Sequence, residues 1–308
     1  QFVRYFLVAS IGLLLNNLIF GFFLHRIEFH YIGSQALATV VVAFWNFYGA
    51  KKFVFYDELG QKTFLLDENR NFPFALSVII PAYNDADRIE KTLYAIRDYF
   101  HEKNWRIETI VVDDFSRDNT VEVVENIKNF PHLRCIRHHG NLGKGAAIKT
   151  GFWNAHGEYF LFMDADGSAD ITEFEKFIPS LKTAPIIIGS RYVSDSDLAK
   201  AQSFPRKFLS RWGNRIMRNL LKISIQDTQC GFKVFYGDVA RFLASRQTVD
   251  GYAFDMELLA IAALHGIPIQ EVGIRWHNDE NSRVRFFRDS FRSLRDLVRI
   301  KVNMERGG

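Results

Sequence analysis

Short apolar runs recur through the middle of the chain and alternate with segments of helical periodicity. Their length and their content of β-branched and aromatic residues are typical of buried strands. The runs cover residues 75–80, 107–112, 133–138, 158–163 and 185–190. The intervening segments predict helices at 86–101, at about 118–129 and at 144–155. Buried strands separated by helices predict an α/β fold with a mainly parallel sheet and helices on both of its faces.

Two longer uncharged stretches precede this alternating region, at residues 5–24 and 31–50. Each has the roughly 20 residues that a helix needs to cross a bilayer, so together they predict a transmembrane helical hairpin. The basic residues at its two outer ends are Arg4, Lys51 and Lys52. Positive charge marks the cytoplasmic side, which predicts a cytoplasmic domain after the hairpin. A pair of buried helices in a soluble protein is the alternative.

Composition alone describes an ordinary folded protein, because 48% of the 308 residues are hydrophobic and 24% are charged. These values exclude disorder and a disulfide scaffold. The distribution is uneven, however, since residues 1–56 hold only five charged side chains. Residues 281–308 carry eight Lys or Arg against three Asp or Glu. Basic ends beside apolar segments favour an anionic lipid surface as partner and argue against nucleic acid.

The pattern divides the chain into a hairpin at 1–56, a polar linker at 57–73, an α/β domain at 74–280 and a basic tail at 281–308. In the tail, arginines and apolar side chains form adjacent stripes at helical spacing, which predicts an amphipathic helix at the bilayer interface. Phe204–Lys222 is a second basic segment of this kind. Packing of either helix onto the domain core is the alternative.

Polar motifs follow the predicted strands, where open α/β sheets bind ligands. In chain order they are PAYND, DDFSRDNT, HHGNLGKG, DADGS and SRY. Asp164 and Asp166 end the fourth strand, and the alternation of strand side chains predicts that both carboxylates point the same way. Hard oxygen ligands of this kind suit Mg²⁺ or Mn²⁺ holding a diphosphate. Two solvated loop aspartates are the alternative.

Two other strand ends carry candidate binding groups. Asp113 and Asp114 follow the second strand and can accept hydrogen bonds from a base or a ribose, with helix capping as the alternative. Lys144 lies between two glycines at the start of a helix, where backbone N–H groups and an ammonium suit phosphate or sugar hydroxyls. His138 and His139 lack metal-ligand spacing and are predicted to be loop residues.

These motifs, followed by DTQCGFKVF and GYAFDMELL, resemble glycosyltransferase family 2 over about residues 76–276. DADGS, DTQCGFK and the FDMELL to IPIQEV stretch are similar to the dolichyl-phosphate β-glucosyltransferases of its polyprenyl-phosphate branch. Ser168 stands where the mannosyl relatives have a Gln that adds a metal ligand. FVRYFLVASIGLLLNNLIF and NFYGAKKFVF resemble part of the GtrA-like membrane domain. The resemblance implies a GT-A, Rossmann-like catalytic domain behind the hairpin.

The resemblance also implies roles for individual residues. The donor nucleotide would contact Pro81, Ala82, Tyr83, Asn84, Asp113, Asp114, Lys144 and Asp164. The metal would be held by Asp164 and Asp166, and the acceptor phosphate by Arg191 and Arg206. Guanidinium groups suit phosphate in any case, although Arg191 could instead pair with a structural carboxylate. Asp227 would order the acceptor or the sugar, or cap a local structure. Of Asp255 and Glu257, helical spacing lets only one reach the site.

The implied activity is inverting transfer of a hexose, glucose from UDP-glucose, onto polyprenyl or dolichyl phosphate at a membrane. Two alternatives stay open: a mannosyltransferase using GDP-mannose, and a protein that transports or presents lipid-linked sugars with an inactive transferase domain. The expected partners are a nucleotide sugar, a polyprenyl phosphate and the bilayer, with the catalytic domain on the cytoplasmic face of the cell or endoplasmic reticulum membrane. The sequence leaves the oligomeric state open.

Overall fold

The computed structural model divides the chain into two compact units, Gln1–Leu65 and Leu66–Gly308. The residues that it describes are 10–11, 13–22, 31–49, 71–192, 225–277, 296, 299–300 and 302–303. The predicted linker at 57–73 lies outside them except for its last three residues, and Arg206 with its basic segment lies wholly outside them.

The first unit is helical wherever it is described. Residues 10–11 and 13–22 are helical, and α1 covers Tyr31–Gly49, so both predicted stretches contain helix. No helix in the described part of the chain combines the length and the apolar character that a bilayer span requires.

The second unit is built on a seven-stranded sheet with the order β3-β2-β1-β4-β6-β5-β7. Its strands are β1 Phe74–Ala82, β2 Ile107–Asp113, β3 Leu133–Arg137, β4 Gly157–Met163, β5 Ile186–Ser190, β6 Phe232–Tyr236 and β7 Ile269–Gly273. Its helices are α2 Ile89–Glu102, α3 Thr120–Glu125, α4 Lys144–Asn154, α5 Gly237–Arg246 and α6 Phe254–Leu264, with 3-10 turns at Ile171–Lys176 and Ile178–Ser180.

All five strands predicted from the apolar runs are present, and the sheet is mainly parallel as expected. Only β6 runs against its neighbours β4 and β5. Neither β6 nor β7 was predicted. The reason is that the second residue of β6 is the charged Lys233, and β7 has polar residues at two of its five positions.

Packing of α4 on β1 and β2 fixes the part of the sheet nearest the predicted site. Gly151 lies so close to Ile79 on β1 that a methyl group there would overlap the isoleucine side chain. Strand register then aligns the carboxyl ends, because Ala82 pairs with Asp113 and Asp113 pairs with Arg137. On the other side, Met163 at the end of β4 pairs with Phe232 at the start of β6.

The described part of the basic tail contacts the rest of the second unit. Residues 296, 299–300 and 302–303 are helical, and Ile300 is 1% exposed. The side-chain amide of Asn303 donates a hydrogen bond to Oγ1 of Thr248 at 3.2 Å. Asn303 of the tail thus contacts the α/β domain, and an interfacial position of the helix stays a prediction. The other residues of the two predicted stripes lie outside the described residues.

Candidate active site

Asp164 forms a close ion pair with Lys144, the lysine between the two glycines. Oδ1 of Asp164 lies 2.6 Å from Nζ of Lys144, and about a quarter of the lysine side chain is exposed. Burial lowers the pKa of Lys144, but the Asp164 carboxylate and then Asp255 outweigh it, so the pKa is raised overall. The ammonium therefore stays charged at the end of β4.

Gly231 explains how the Asp164 carboxylate fits beside β6. The backbone N–H of Asp164 donates to the carbonyl of Gly231 at 3.2 Å. A methyl group on Gly231 would overlap Oδ2 of Asp164. The glycine of the DTQCGFK motif is thus required by the close approach of a carboxylate, and not by a left-handed backbone.

Asp166 lies two residues further on, in a turn and not in the strand. Strand β4 ends at Met163, so alternation along a strand is the wrong reason for grouping the two carboxylates. Oδ1 of Asp166 accepts a hydrogen bond from the backbone N–H of Ser168 at 2.9 Å. Burial, and then the negative charge of Asp164, raise the pKa of Asp166. The two carboxylates are therefore close enough to repel, and a cation would relieve this repulsion.

Asp164 and Asp166 fit a divalent metal, because both carboxylates are hard oxygen ligands and their negative charges interact. Ser168 contributes its backbone N–H to Asp166, and its carbonyl accepts from the backbone N–H of His277 at 2.8 Å. Among the described residues, no group of three or more His, Cys, Asp or Glu side chains could hold a metal ion. Asp164 and Asp166 would therefore need oxygen atoms from substrate or water to complete a coordination shell.

The loop before α4 uses its backbone donors within the protein. Gly143 has φ of 109°, and a methyl group there would overlap the carbonyl oxygen of Asp250. The N–H groups of Gly145 and Ala146 donate to that same oxygen at 2.8 and 3.3 Å. The prediction that backbone N–H groups at the start of this helix bind phosphate is wrong at these positions. The ammonium of Lys144 is the group that this loop directs to Asp164.

The carboxylate of Asp114 accepts hydrogen bonds from the backbone of the same loop. Its Oδ1 accepts from the N–H of Leu142 and its Oδ2 from the N–H of Gly143, each at 2.8 Å. Nδ1 of His138 lies 2.8 Å from Oδ1, and Nε2 lies 3.0 Å from Oγ1 of Thr150 on α4. A carboxylate only accepts, so Nδ1 carries the hydrogen. Both Asp114 oxygens are thus bonded to protein, while contact with the donor stays a prediction.

His138 is a loop residue, as predicted, but its contacts with Asp114 and Thr150 beside the candidate site were not predicted from the sequence. It occupies the first position after β3, and its side chain is 8% exposed. The sequence does place His138 directly after β3 and Asp114 directly after β2, and this arrangement could have predicted their contact.

Asp113 is fully buried and holds the next turn. Its carboxylate accepts from the N–H of Ser116 at 3.1 Å, and Oδ2 lies 3.3 Å from Nε of Arg137. Phe115 follows with φ of 65°, a left-handed conformation that is a genuine outlier for a bulky residue. The phenylalanine ring is 40% exposed, and the Arg137 guanidinium lies over it at 5.7 Å.

The PAYN residues begin inside the sheet and end at its edge. Pro81 and Ala82 are the last residues of β1 and are buried, whereas Tyr83 is 40% exposed. Asn84, with φ of 54°, accepts from the N–H of Arg117 at 2.7 Å and donates its own N–H to Oγ of Ser116. The loops after β1 and β2 are thereby joined at the candidate site.

Arg191 forms a bidentate pair with Asp227. Nε and Nη2 of Arg191 lie 2.7 and 2.8 Å from the two Asp227 oxygens, and the backbone N–H of Arg191 donates to Oδ2 at 2.9 Å. Asp227 is fully buried and is itself held by its N–H bond to Glu271. The guanidinium also lies 5.1 Å from the ring of Trp276. Pairing with a structural carboxylate, the alternative considered for Arg191, is therefore present.

Of the two acidic residues in FDMELL, one lies beside the candidate site. Asp255 accepts from the ammonium of Lys233 at 2.6 Å, and its charge acts on Lys144. Glu257 instead accepts from the backbone N–H groups of Thr248 and Val249 at 2.9 and 2.8 Å. That only one of the two reaches the site stays a prediction.

Comparison with known proteins identifies the class of this site. The profile of "Glycosyl transferase family 2" matches residues 77–242, and that of "GtrA/DPMS, transmembrane domain" matches residues 1–55. A dolichyl-phosphate beta-glucosyltransferase of Dictyostelium discoideum is 34% identical over 73% of each chain. The protein of that name from Saccharomyces cerevisiae is 34% identical over 74% of each, and the one from Drosophila melanogaster is 32% identical over 89% of this chain and 92% of its own.

Solved structures share the fold at low sequence identity. Glucosyl-3-phosphoglycerate synthase from Mycobacterium tuberculosis, in complex with Mn²⁺, UDP-glucose and phosphoglyceric acid, has a TM-score of 0.57 and 18% identity over 80% of this chain and 83% of its own. Mannosyl-3-phosphoglycerate synthase from Rubrobacter xylanophilus has a TM-score of 0.57 and 16% identity over 76% and 74%. The family profile covers more than half of the chain, and the curated relatives exceed 30% identity over more than two thirds of their length. The chain is therefore a glycosyltransferase of family 2.

Proposed function

We propose that this enzyme transfers glucose from UDP-glucose to dolichyl or a related polyprenyl phosphate, with inversion at the anomeric carbon. The observation that carries the proposal is the intact Asp164–Lys144 pair beside Asp166, in a chain whose relatives are named for this reaction. Both charged partners of the pair are in place at a strand end. A transferase domain that had lost its activity would not need a partly buried, mutually repelling pair of carboxylates at this edge.

On the donor side, Asp164 and Asp166 would hold Mg²⁺ or Mn²⁺. When bound, the metal supplies positive charge that stabilises the departing diphosphate. Lys144 adds a second positive charge from α4, since Gly143 and Asp250 fix the start of that helix. Both positive charges would stabilise the negative charge that develops on the departing diphosphate.

The base and ribose of the donor would lie at the joined loops after β1 and β2. Pro81 and Ala82 are buried beneath these loops, and the side chain of Tyr83 is exposed beside them. Asn84 and Asp113 hold the turn through Ser116 and Arg117. Contact of these side chains and of Asp114 with the nucleotide is part of the proposal.

On the acceptor side, Arg191 would position the phosphate. Its bidentate pair with Asp227 and its contact with Trp276 fix the guanidinium in orientation, so little entropy is lost when an anion binds. Asp227 is in this scheme a positioning residue. Arg206 is proposed as a second phosphate ligand on the strength of the sequence resemblance, because it lies outside the described residues.

The acceptor needs no strong general base, because a phosphate monoester with a second pKa of about 6 is mostly ionised at neutral pH. One of its oxygens attacks the anomeric carbon while the bond from that carbon to the nucleotide diphosphate breaks. The diphosphate leaves with the bonding electron pair from the opposite face, so the carbon is inverted. The residues described above act by orienting the two phosphate groups and balancing their charge.

The first unit would hold the enzyme at the membrane in which the lipid acceptor resides. Its match to a transmembrane-domain profile supports this, as do exposed apolar side chains that a purely aqueous surface rarely groups together. The most exposed of these in the described residues are Leu13, Leu14, Leu18, Phe22 and Val40. A cytoplasmic orientation follows from the basic residues that flank the two stretches.

A donor screen on the purified full-length chain tests the proposal. The chain in detergent is supplied with a polyprenyl phosphate and, in separate reactions, radiolabelled UDP-glucose, GDP-mannose or UDP-N-acetylglucosamine. Each reaction is run with Mg²⁺, with Mn²⁺ and with a chelator. We expect a labelled lipid from UDP-glucose only, and loss of this product with the chelator.

Efficient transfer from GDP-mannose in place of UDP-glucose would overturn the donor assignment. Equal product in the presence of the chelator would overturn the metal assignment. No labelled lipid from any of the three donors would overturn the proposed activity as a whole.

A further inference from the structure

Lys233 and Asp255 form a second charged pair near the candidate metal site, and this pair is almost completely buried. Nζ of Lys233 lies 2.6 Å from Oδ1 of Asp255, and the two side chains are 1% and 6% exposed. Nζ also donates to the carbonyl of Cys230 at 2.6 Å. Buried pairs of this kind commonly add little to stability, because desolvation opposes their attraction. Their presence therefore calls for another explanation.

The location of the pair follows from the strand register. Lys233 on β6 pairs with Phe162 on β4, two residues before Asp164. The centroid of the Phe162 ring is 5.5 Å from Nζ of Lys233 and 5.2 Å from Nζ of Lys144. Two ammonium groups are thus held near one aromatic ring.

The pair also fixes the backbone against which Asp164 packs. Lys233 binds the carbonyl of Cys230, and the next residue is Gly231, whose Cα adjoins the Asp164 carboxylate. A shift of this segment would move the carbonyl that accepts from the N–H of Asp164. Lys233 is therefore connected to Asp164 through one short piece of chain.

Charge provides a second connection. Asp255 lies 2.6 Å from the ammonium of Lys233, and that ammonium shares the Phe162 ring with the ammonium of Lys144. The charges of Lys144, Asp164, Lys233 and Asp255 cancel, so Asp166 leaves the group with one net negative charge. Such a group suits a divalent cation that brings a nucleotide diphosphate with it.

We propose that Lys233 and Asp255 are positioning residues for the metal and diphosphate site. Asp255 offers Lys144 a second carboxylate, so that the lysine can turn from Asp164 toward the diphosphate when Asp164 takes up the metal. Lys233 holds Asp255 and the 230–231 backbone in place for this exchange. The inference rests on the proposed function, since it concerns the same metal and donor.

Mn²⁺ affinity of the full-length chain tests the inference without any transfer reaction. The variants are Asp255→Asn and the double variant Lys233→Met with Asp255→Leu, which removes both charges and so leaves no buried charge unpaired. Glu257→Gln is the matched control, because this buried carboxylate of the same helix accepts its side-chain hydrogen bonds from Thr248 and Val249. Dissociation constants for Mn²⁺ alone and for Mn²⁺ with UDP are measured by titration calorimetry, with thermal unfolding as the measure of folding.

We expect Asp255→Asn and the double variant to weaken Mn²⁺ binding by about 10- to 100-fold, the usual range for groups that support metal ligands. The double variant should unfold at a temperature close to that of the wild type. Glu257→Gln should bind Mn²⁺ as the wild type does, even if its unfolding temperature falls. A purely structural role for the pair predicts the reverse, namely normal Mn²⁺ affinity in a folded double variant.

Wild-type Mn²⁺ affinity in the double variant would overturn the inference, as would equal weakening in Glu257→Gln. Absence of Mn²⁺ binding by the wild-type chain would also overturn it. The proposed function is judged separately by the labelled lipid product. If the chain makes this lipid but binds Mn²⁺ independently of Asp255, the proposed function stands and the inference fails. If Mn²⁺ binding depends on Asp255 but no lipid product forms, the inference about the metal site stands and the proposed function fails.

Discussion

The Cα atom of Gly231 faces the carboxylate of Asp164 so closely that no side chain can be placed there without moving the carboxylate. This contact joins two segments far apart in the sequence, the end of β4 and the start of β6. It explains why a small residue stands at the reversed strand of the sheet. It also makes Gly231 a test of whether the position of Asp164 matters for catalysis.

Gly231→Ala should therefore reduce glucosyl transfer by displacing Asp164 from its position. We expect roughly a 100-fold loss of kcat/KM, comparable to the removal of one group that stabilises a transition state, with a smaller change in thermal stability. Gly140→Ala is the control, since a methyl group there meets no atom within 4 Å. Equal activity of the two variants would show that Asp164 tolerates the shift.

Asp166→Asn should abolish most transfer while leaving the fold intact. The change removes a carboxylate that would hold the metal, but it also removes repulsion with Asp164. We expect turnover to fall by roughly 100-fold or more, and the unfolding temperature to stay the same or rise. Asp170→Asn is the control, because Asp170 only caps the 3-10 turn that begins at Ile171. Wild-type turnover in Asp166→Asn with Mg²⁺ or Mn²⁺ supplied would contradict the metal assignment.

His138→Ala should loosen the loop that carries Lys144. Without the imidazole, the buried Asp114 loses one donor, which costs about 1–3 kcal/mol of unfolding free energy. Donor KM should rise more than kcat falls, because the loop and the start of α4 are held less firmly. Urea unfolding and steady-state kinetics check the two effects. His139→Ala should leave both unchanged, since His139 is exposed. A similar result for the two histidines would remove the special role of His138.

Phe115 offers a test of backbone strain at the site. Phe115→Gly should be more stable than Phe115→Ala by about 1 kcal/mol, because only glycine adopts φ of 65° without a steric cost. Both variants lose the ring that lies beneath Arg137, so the comparison isolates the backbone contribution. Urea unfolding of the two variants measures it. Identical stabilities would mean that the turn relaxes when the ring is removed.

The sequence predicted the strands whose apolar runs are uninterrupted, and it predicted which motifs follow them. It failed for β6, because the charge of Lys233 conceals a central strand until Asp255 is known to neutralise it. It could not show that Arg191 is paired with Asp227, because that pair joins residues 36 positions apart through the loop before β6. Propensity and periodicity describe single segments, whereas these contacts depend on strand register and on partners from other segments.

The role of the Leu142–Gly145 loop was predicted only in part for the same reason. Its flanking glycines predict that Lys144 contacts the donor; the structure pairs this lysine with Asp164, and contact with the donor stays a prediction. Its backbone donors were assigned to a ligand, but Asp114 and Asp250 use them. A glycine-rich loop has the same appearance in the sequence whether its amides face a phosphate or a buried oxygen of the protein.

The carbonyl of Asp250, which accepts hydrogen bonds from the first turn of α4, should slow hydrogen exchange there. First-turn amides have no acceptor within their own helix and usually exchange their hydrogens with solvent quickly. Here the amides of Gly145 and Ala146 share an acceptor from the segment before α6. They should therefore exchange as slowly as the helix interior, and they should lose this protection only when the 248–251 segment detaches. Deuterium uptake at these two amides would thus report how often the amino ends of α4 and α6 separate.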